Sequence, residues 1–236
     1  MVRLGFHVSI TGGIDRAVDR ARGLGCDTFQ IFTRNPRSWA SRALERDEVG
    51  AFRVKRAEAG MDPVFGHMPY VLNLASPEDG VYLRSLESLS LELGRCSALG
   101  VPMLVTHIGS HLGSGPERGV SRVVDGVRSV LKGDGTGVRV LLENGPGSKN
   151  SVGSGFDELR LVLDGIDRPD RVAVCLDTCH AFAAGYDLRS EEGLGAAVEA
   201  FDVLIGLERL MLVHLNDSVA GLGRGVDHHE HIGLGE

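Results

Sequence analysis

The chain has 236 residues, of which 42% are hydrophobic and 24% charged, a balance that excludes disordered and collagen-like proteins. A chain of this length can bury a sizeable core, and its longest apolar runs are too short to span a bilayer. The formal net charge of −7 argues against a nucleic-acid partner, because phosphate binding favours a basic surface. The chain opens in strand-like sequence without the apolar stretch of a signal peptide, so we expect a cytoplasmic protein with no membrane contact.

Short aliphatic runs alternate with segments of helical periodicity along the chain. The predicted strands cover residues 4–8, 28–32, 63–66, 103–106, 138–142, 172–176 and 210–215. Amphipathic helices are predicted within 14–24, 83–93, 120–130, 156–163 and 194–204. This alternation predicts right-handed βαβ units and a parallel sheet. No linker or shift in composition divides the chain, so we expect one α/β domain over residues 1–236.

Polar residues at the strand ends favour a barrel over a doubly wound sheet, for which the G-x-G-x-x-G fingerprint is missing. Five consecutive predicted strands end at a potential metal ligand: His67, His107, Glu143, Asp177 and His214. In a (β/α)8 barrel the carboxyl ends of all strands face one rim, where active sites are built. We therefore predict a TIM-type barrel with a metal site at that rim.

Two further clusters add ligands to this predicted site. His180 follows Asp177 by three residues, in what is predicted to be a loop, and residues 226–231 form a dense run of acidic and imidazole side chains in a glycine-rich loop. The four cysteines, Cys26, Cys96, Cys175 and Cys179, are scattered without C-x2-C spacing and are predicted to be buried, reduced thiols. Oxygen and nitrogen ligands fit Zn²⁺ best, with Mn²⁺ or Fe²⁺ as alternatives.

Eight segments, in order, carry a resemblance to a known family. They are residues 5–9 (GFHVS), 32–39 (FTRNPRSW), 67–74 (HMPYVLNL), 107–111 (HIGSH), 142–144 (LEN), 175–187 (CLDTCHAFAAGYD), 214–218 (HLNDS) and 227–233 (DHHEHIG). The sequence resembles endonuclease IV, the zinc-dependent apurinic/apyrimidinic endonuclease family of base-excision repair. The resemblance spans nearly the whole chain.

This resemblance implies a (β/α)8 barrel that holds three zinc ions at its carboxyl rim. By position, His67 and His107 would hold the first ion, Glu143 would bridge the first and second, Asp177 and His214 would hold the second, and His180, Asp227 and His229 the third. The ions would supply both the nucleophile and the charge neutralisation for hydrolysis 5′ to abasic sites in duplex DNA, with Glu143 and Asp177 as the catalytic carboxylates. Three Zn²⁺ ions would also bring the net charge of −7 to about −1, which reduces the objection to DNA.

The resemblance also implies where double-stranded DNA would be contacted. Abasic sugars would be flipped out of the duplex, with side chains of Asn35, Arg37, Tyr70 and Val71 at the lesion. Val71 is shorter than the leucine that is typical at its position. We expect a monomer.

The end of the chain departs from the family pattern. The family continues with a further helix and an eighth strand, whose terminal glutamate completes the second zinc site, so we expect a C-terminally incomplete barrel. Glu236 lies in the preceding loop motif and is not that ligand. Two alternatives remain: a barrel sugar isomerase or epimerase with one or two metal ions, and a metal-bound DNA-binding barrel with impaired catalysis.

Overall fold

The computed structural model describes residues 2–236, in which strands and helices alternate. The parallel strands are β1 (Gly5–His7), β2 (Thr28–Phe32), β3 (Val64–His67), β4 (Met103–His107), β5 (Arg139–Glu143), β6 (Val172–Asp177) and β7 (Leu210–His214). The helices are α1 (Arg16–Gly23), α2 (Arg46–Ala59), α3 (Asp79–Leu99), α4 (Pro116–Gly133), α5 (Phe156–Ile166), α6 (Thr178–Ala184) and α7 (Glu191–Leu204). A short antiparallel hairpin of β8 (Asp217–Ser218) and β9 (His229–Glu230) follows.

The sheet has the strand order β1-β2-β3-β4-β5-β6-β7, and every strand is parallel to the next. His107 lies opposite Glu143 in the register, and Asp177 lies opposite His214. All seven carboxyl ends therefore meet at one rim. This is the (β/α)8 architecture predicted from the sequence, with seven of its eight strands in the part of the chain that the structure describes.

Two apolar clusters hold the barrel together because side chains alternate across each strand. The larger cluster lies between the sheet and the helices, and the smaller one fills the interior with Phe65, Val105, Leu141, Ala173 and Cys175. Helix α3 packs so closely on β3 that a Cβ on Gly66 would lie 2.6 Å from the sulfur of Cys96. None of the described helices has an apolar stretch that could cross a bilayer.

Three local features differ from the sequence prediction. Helix α2 was not predicted, because Phe52 is its only buried side chain and its periodicity is weak. The prediction that His180 lies in a loop is wrong: the residue lies in the first turn of α6, which Asp177 caps by accepting a hydrogen bond from the His180 amide at 2.9 Å. Residues 229–230, also predicted as loop, form β9 of the hairpin.

Candidate metal centre

Glu143 is the centre of the polar cluster at the rim. Its carboxylate is almost fully buried, at 2% exposure, and lies 3.3 Å from Nε2 of both His67 and His107. Its other oxygen lies 2.9 Å from Nδ1 of His214. Each of these groups is the last residue of its strand, in β3, β4, β5 and β7, which is why residues far apart in sequence meet here.

A second group of ligand types lies beside the first. Nε2 of His180 is 3.2 Å from Oδ1 of Asp227, and Nε2 of His229 is 3.3 Å from the same oxygen. Asp177 links the groups, because its Oδ2 lies 3.8 Å from Nδ1 of His214 and 3.7 Å from Nε2 of His229. The structure thus brings together all eight residues that were predicted as metal ligands.

The donor atoms fit divalent cations. Within the sets His67–His107–Glu143, His180–Asp227–His229 and Glu143–Asp177–His180, one donor atom from each residue lies within 4.8 Å of the others. Nε2 of His180 is buried and makes no hydrogen bond of good geometry, although Oδ1 of Asp227 lies 3.2 Å away. A buried imidazole nitrogen that faces carboxylates without a well-formed hydrogen bond fits a site for a divalent cation.

The charged groups in the cluster lower the pKa of Glu143 and raise that of His180. Burial acts to raise the pKa of Glu143, but the nearby imidazoles of His107, His214 and His67 outweigh it and hold the pKa well below its ordinary value. Burial acts to lower the pKa of His180, but the carboxylates of Asp227, Asp177 and Glu143 raise it to about 9. The Glu143 carboxylate is therefore ionised at neutral pH, the form that binds a cation.

Two asparagines that were not predicted as site residues orient the predicted ligands. Asn144 accepts a hydrogen bond from the Asp177 backbone at 2.7 Å, and its own backbone carbonyl accepts one from Nδ1 of His180 at 2.9 Å. Asn216 donates to Oδ2 of Asp177 at 2.7 Å. Both asparagines follow a ligand within two residues, and this proximity is the signal that could have identified them.

Cys179 is the one cysteine that joins a possible metal-ligand group among the described residues. Its sulfur lies within 4.8 Å of donor atoms of Asp177 and His229. Burial raises the pKa of the thiol above its ordinary value, so it stays protonated and is a poor ligand at neutral pH. All four cysteines are free, as predicted, but only three are buried: the prediction is wrong for Cys26, which is half-buried.

The residues predicted to contact DNA lie on two loops beside the cluster. Asn35 and Arg37 are exposed in the β2–α2 loop (residues 33–45), and Oδ1 of Asn35 accepts a hydrogen bond from the Arg37 backbone at 2.9 Å. The Tyr70 ring is 58% exposed and lies with its centroid 6.1 Å from that of His107. Val71 is half-buried next to it.

A buried ionic network fixes the β2–α2 loop to helix α3. Glu92 is fully buried and accepts hydrogen bonds from Nε of Arg34 at 2.6 Å and from the Thr33 hydroxyl at 2.5 Å. Arg34 also donates to the carbonyl of Ser38 at 2.6 Å, and Arg95 donates to the carbonyl of Thr33 at 2.5 Å. These bonds to α3 therefore fix the conformation of the loop that carries Asn35 and Arg37.

Known proteins share both the fold and the sequence. The chain matches the family model described as "Xylose isomerase-like TIM barrel" over residues 18–236. It is 53% identical to the "Probable endonuclease 4" of Methanoculleus marisnigri, over all of this chain and 84% of that protein. Endonuclease IV from Thermus thermophilus is 42% identical, with a TM-score of 0.87 over 99% of this chain and 83% of that one. A D-tagatose 3-epimerase-like protein, 18% identical with a TM-score of 0.73 over 98% and 82% of the two chains, shares the fold alone.

Fold and family model thus define a xylose isomerase-like TIM barrel, with imidazoles and carboxylates gathered at its carboxyl rim. Within that class, the identity to the endonuclease 4 proteins extends over the whole chain. The chain belongs to the endonuclease IV family and is an endonuclease of DNA repair, a hydrolase. The family is metal-dependent and has DNA as its substrate, and the resemblance stated from the sequence is confirmed.

Proposed function

We propose that the chain hydrolyses the phosphodiester bond 5′ to abasic sites in duplex DNA with three zinc ions bound at the rim. The observation that carries this proposal is the convergence of eight imidazole and carboxylate side chains on one mouth of the barrel. His67, His107 and Glu143 would hold one ion, and Glu143 would share a second with Asp177 and His214. His180, Asp227 and His229 would hold the third.

The chain's own residues would prepare this site for a phosphate. When bound, the ions supply charge neutralisation and an activated water at neutral pH. Glu143 and Asp177, both buried and fixed by hydrogen bonds, would supply the negative charge that offsets the positive charge of the ions. Arg37 and Tyr70, exposed beside the mouth, would contact the DNA, with Asn35 and Val71 next to them.

The test is a metal analysis of the purified protein together with nicking of a duplex that contains one abasic site. We expect a zinc-to-protein ratio near three and a single cut 5′ to the lesion. A ratio of one or two with no incision would favour a sugar epimerase or isomerase. Full metal content and lesion binding without incision would identify a catalytically impaired DNA-binding barrel. Zinc as the native metal, the single-domain organisation, the monomeric state and the cytoplasmic location stay predictions.

Tyr70→Ala is expected to weaken binding to an abasic duplex roughly tenfold or more, because stacking of a base on an aromatic ring contributes about 1–3 kcal/mol. The zinc content should not change, since no donor atom of the cluster belongs to Tyr70. Fluorescence anisotropy with a labelled duplex measures the affinity. Tyr70→Phe keeps the ring and serves as the matched control. Loss of zinc in the alanine variant would contradict a role in DNA contact.

Zinc affinity is expected to rise with pH. Without metal, the pKa of His180 is about 9, so near neutral pH a bound ion must displace a proton from this ring. The affinity of the third site should increase about tenfold per pH unit and level off above pH 9. The stability of the metal-free fold depends on pH in the opposite direction. The raised pKa of His180 stabilises this fold fully below the ordinary value of 6.5, and the stabilisation is lost as the pH rises through about 9.

Calorimetric titrations in two buffers of different ionisation enthalpy count the protons released when zinc binds. His180→Gln, which has no proton to displace, should lower the number released near neutral pH by one. Equal proton release in the variant and the wild type would show that His180 is not the group displaced.

A further inference from the structure

Two of the clustered histidines are oriented by backbone carbonyls. Nδ1 of His67 donates to the carbonyl of Met68 at 2.7 Å, and Nδ1 of His180 donates to the carbonyl of Asn144 at 2.9 Å. A proton held on Nδ1 leaves the lone pair on Nε2, the atom that faces the carboxylates in both residues. In their neutral form these two rings are thus oriented to bind a cation through Nε2.

His214 is oriented the other way round and by a side chain. Its Nδ1 lies 2.9 Å from Oε1 of Glu143, and its Nε2 lies 3.0 Å from Oε1 of Gln30. A ring that binds a cation through Nδ1 must carry its proton on Nε2, where the Gln30 oxygen accepts it.

The Gln30 amide makes a hydrogen bond at each of its two ends. With its oxygen at His214, the amide presents its NH₂ group to Nδ1 of His7, at 2.9 Å, and this nitrogen accepts the hydrogen bond. The His7 ring packs against Phe32, with centroids 4.3 Å apart, and so does not turn freely. The contacts form a chain from His7 through Gln30 and His214 to Glu143.

Gln30 occupies an unusual place for a polar side chain. It is buried in the middle of β2, between the apolar residues Phe29 and Ile31. Strand β2 does not pair with β7, so the hydrogen bond to His214 crosses the barrel interior and joins residues 184 positions apart. An apolar residue would fill the same space, but it would leave Nε2 of His214 without its acceptor.

We propose that Gln30 is a positioning residue that fixes the Nε2-protonated tautomer of His214 and directs its Nδ1 to the ion shared with Glu143 and Asp177. This inference rests on the metal site of the proposed function. Removal of a hydrogen-bond partner behind a metal-binding histidine costs about 10- to 100-fold in metal affinity. Gln30 would therefore determine how tightly one ion is held, and leave the other two unchanged.

The test compares Gln30→Met, which keeps the length and removes the acceptor, with Gln30→Glu, which keeps an oxygen at His214. Competition with a chromophoric chelator measures stepwise zinc affinities, and circular dichroism verifies folding. We expect the methionine variant to lose one ion about 10- to 100-fold more readily. The glutamate variant should restore the affinity, which a purely space-filling role for Gln30 would not explain.

A second measurement uses the wild-type protein, so it does not depend on folding of a variant. Long-range ¹⁵N–¹H correlation spectra of the zinc-loaded protein should show His214 protonated on Nε2, and His67 and His180 protonated on Nδ1. His214 protonated on Nδ1, or unchanged zinc affinities in a folded Gln30→Met variant, would overturn the inference alone. A wild-type protein that binds no zinc would overturn the proposed metal site as well.

Discussion

Glu143→Gln is expected to abolish incision of an abasic duplex and to release both ions that this carboxylate would bridge. Glutamine keeps the shape of the side chain but removes the charge that faces three imidazoles within 3.3 Å. Closely spaced cations need a shared anionic ligand, because their mutual repulsion is otherwise uncompensated in a buried site. A nicking assay and elemental analysis of the same preparation measure the two effects together.

Glu230→Gln is the matched control for this experiment. Glu230 lies in β9, directly after His229, but its carboxylate is outside the donor sets of the described residues. Its replacement should leave zinc content and incision unchanged. Full activity and unchanged zinc content in Glu143→Gln would refute the bridging role and, with it, the trinuclear proposal.

Glu92→Gln is expected to lower the free energy of unfolding by about 3–5 kcal/mol, because it leaves the buried Arg34 guanidinium without its counter-ion. For a chain of this length the loss corresponds to a decrease in Tm of roughly 10 °C. DNA binding should weaken as well, because the β2–α2 loop loses the anchor that holds it on α3. Thermal unfolding and duplex titration measure the two effects.

The control is Glu87→Gln, on an exposed position of the same helix. Its Tm and its DNA affinity should match the wild type. If Glu92→Gln had the same Tm as this control, the network would be dispensable for stability. Unchanged DNA affinity at reduced stability would show that the loop keeps its conformation without Glu92.

The sequence predicted the strand ends well, because one physical rule places them. Buried parallel strands are apolar throughout, so a histidine or carboxylate directly after such a run marks the rim, as at His107 and Glu143. Helix α2 was missed because most of its surface is solvated, so its apolar residues follow no clear period. Strict alternation of side chains is also lost at the bulge between β6 and β7, where Met211 and Leu212 both contact the inner cluster.

The hydrogen bonds that hold the site residues in place were not predicted, because they depend on partners that only the folded chain brings together. Glu92 and Thr33 are 59 residues apart, and Gln30 and His214 are 184 apart. A polar residue within a buried strand or on a packed helix signals only that some partner exists. Which atom it meets follows from the packing of α3 against the β2–α2 loop and from the curvature of the sheet.

The cluster has two flanks that are held differently, one by packed strands and one by the hairpin of β8 and β9. His67 and Glu143 end fully packed strands, whereas Asp227 and His229 are 48% and 44% exposed. Their segment is held by a two-residue pairing, by backbone amides of Gly233 and Gly235 that donate to Asp217, and by the Gly225 amide, which donates to the carbonyl of Ala183 in α6. Exposed segments with short pairings open locally at a lower free energy than packed strands do. Backbone amides around Asp227 and His229 are therefore expected to exchange their hydrogens with solvent faster than those of β3 and β5.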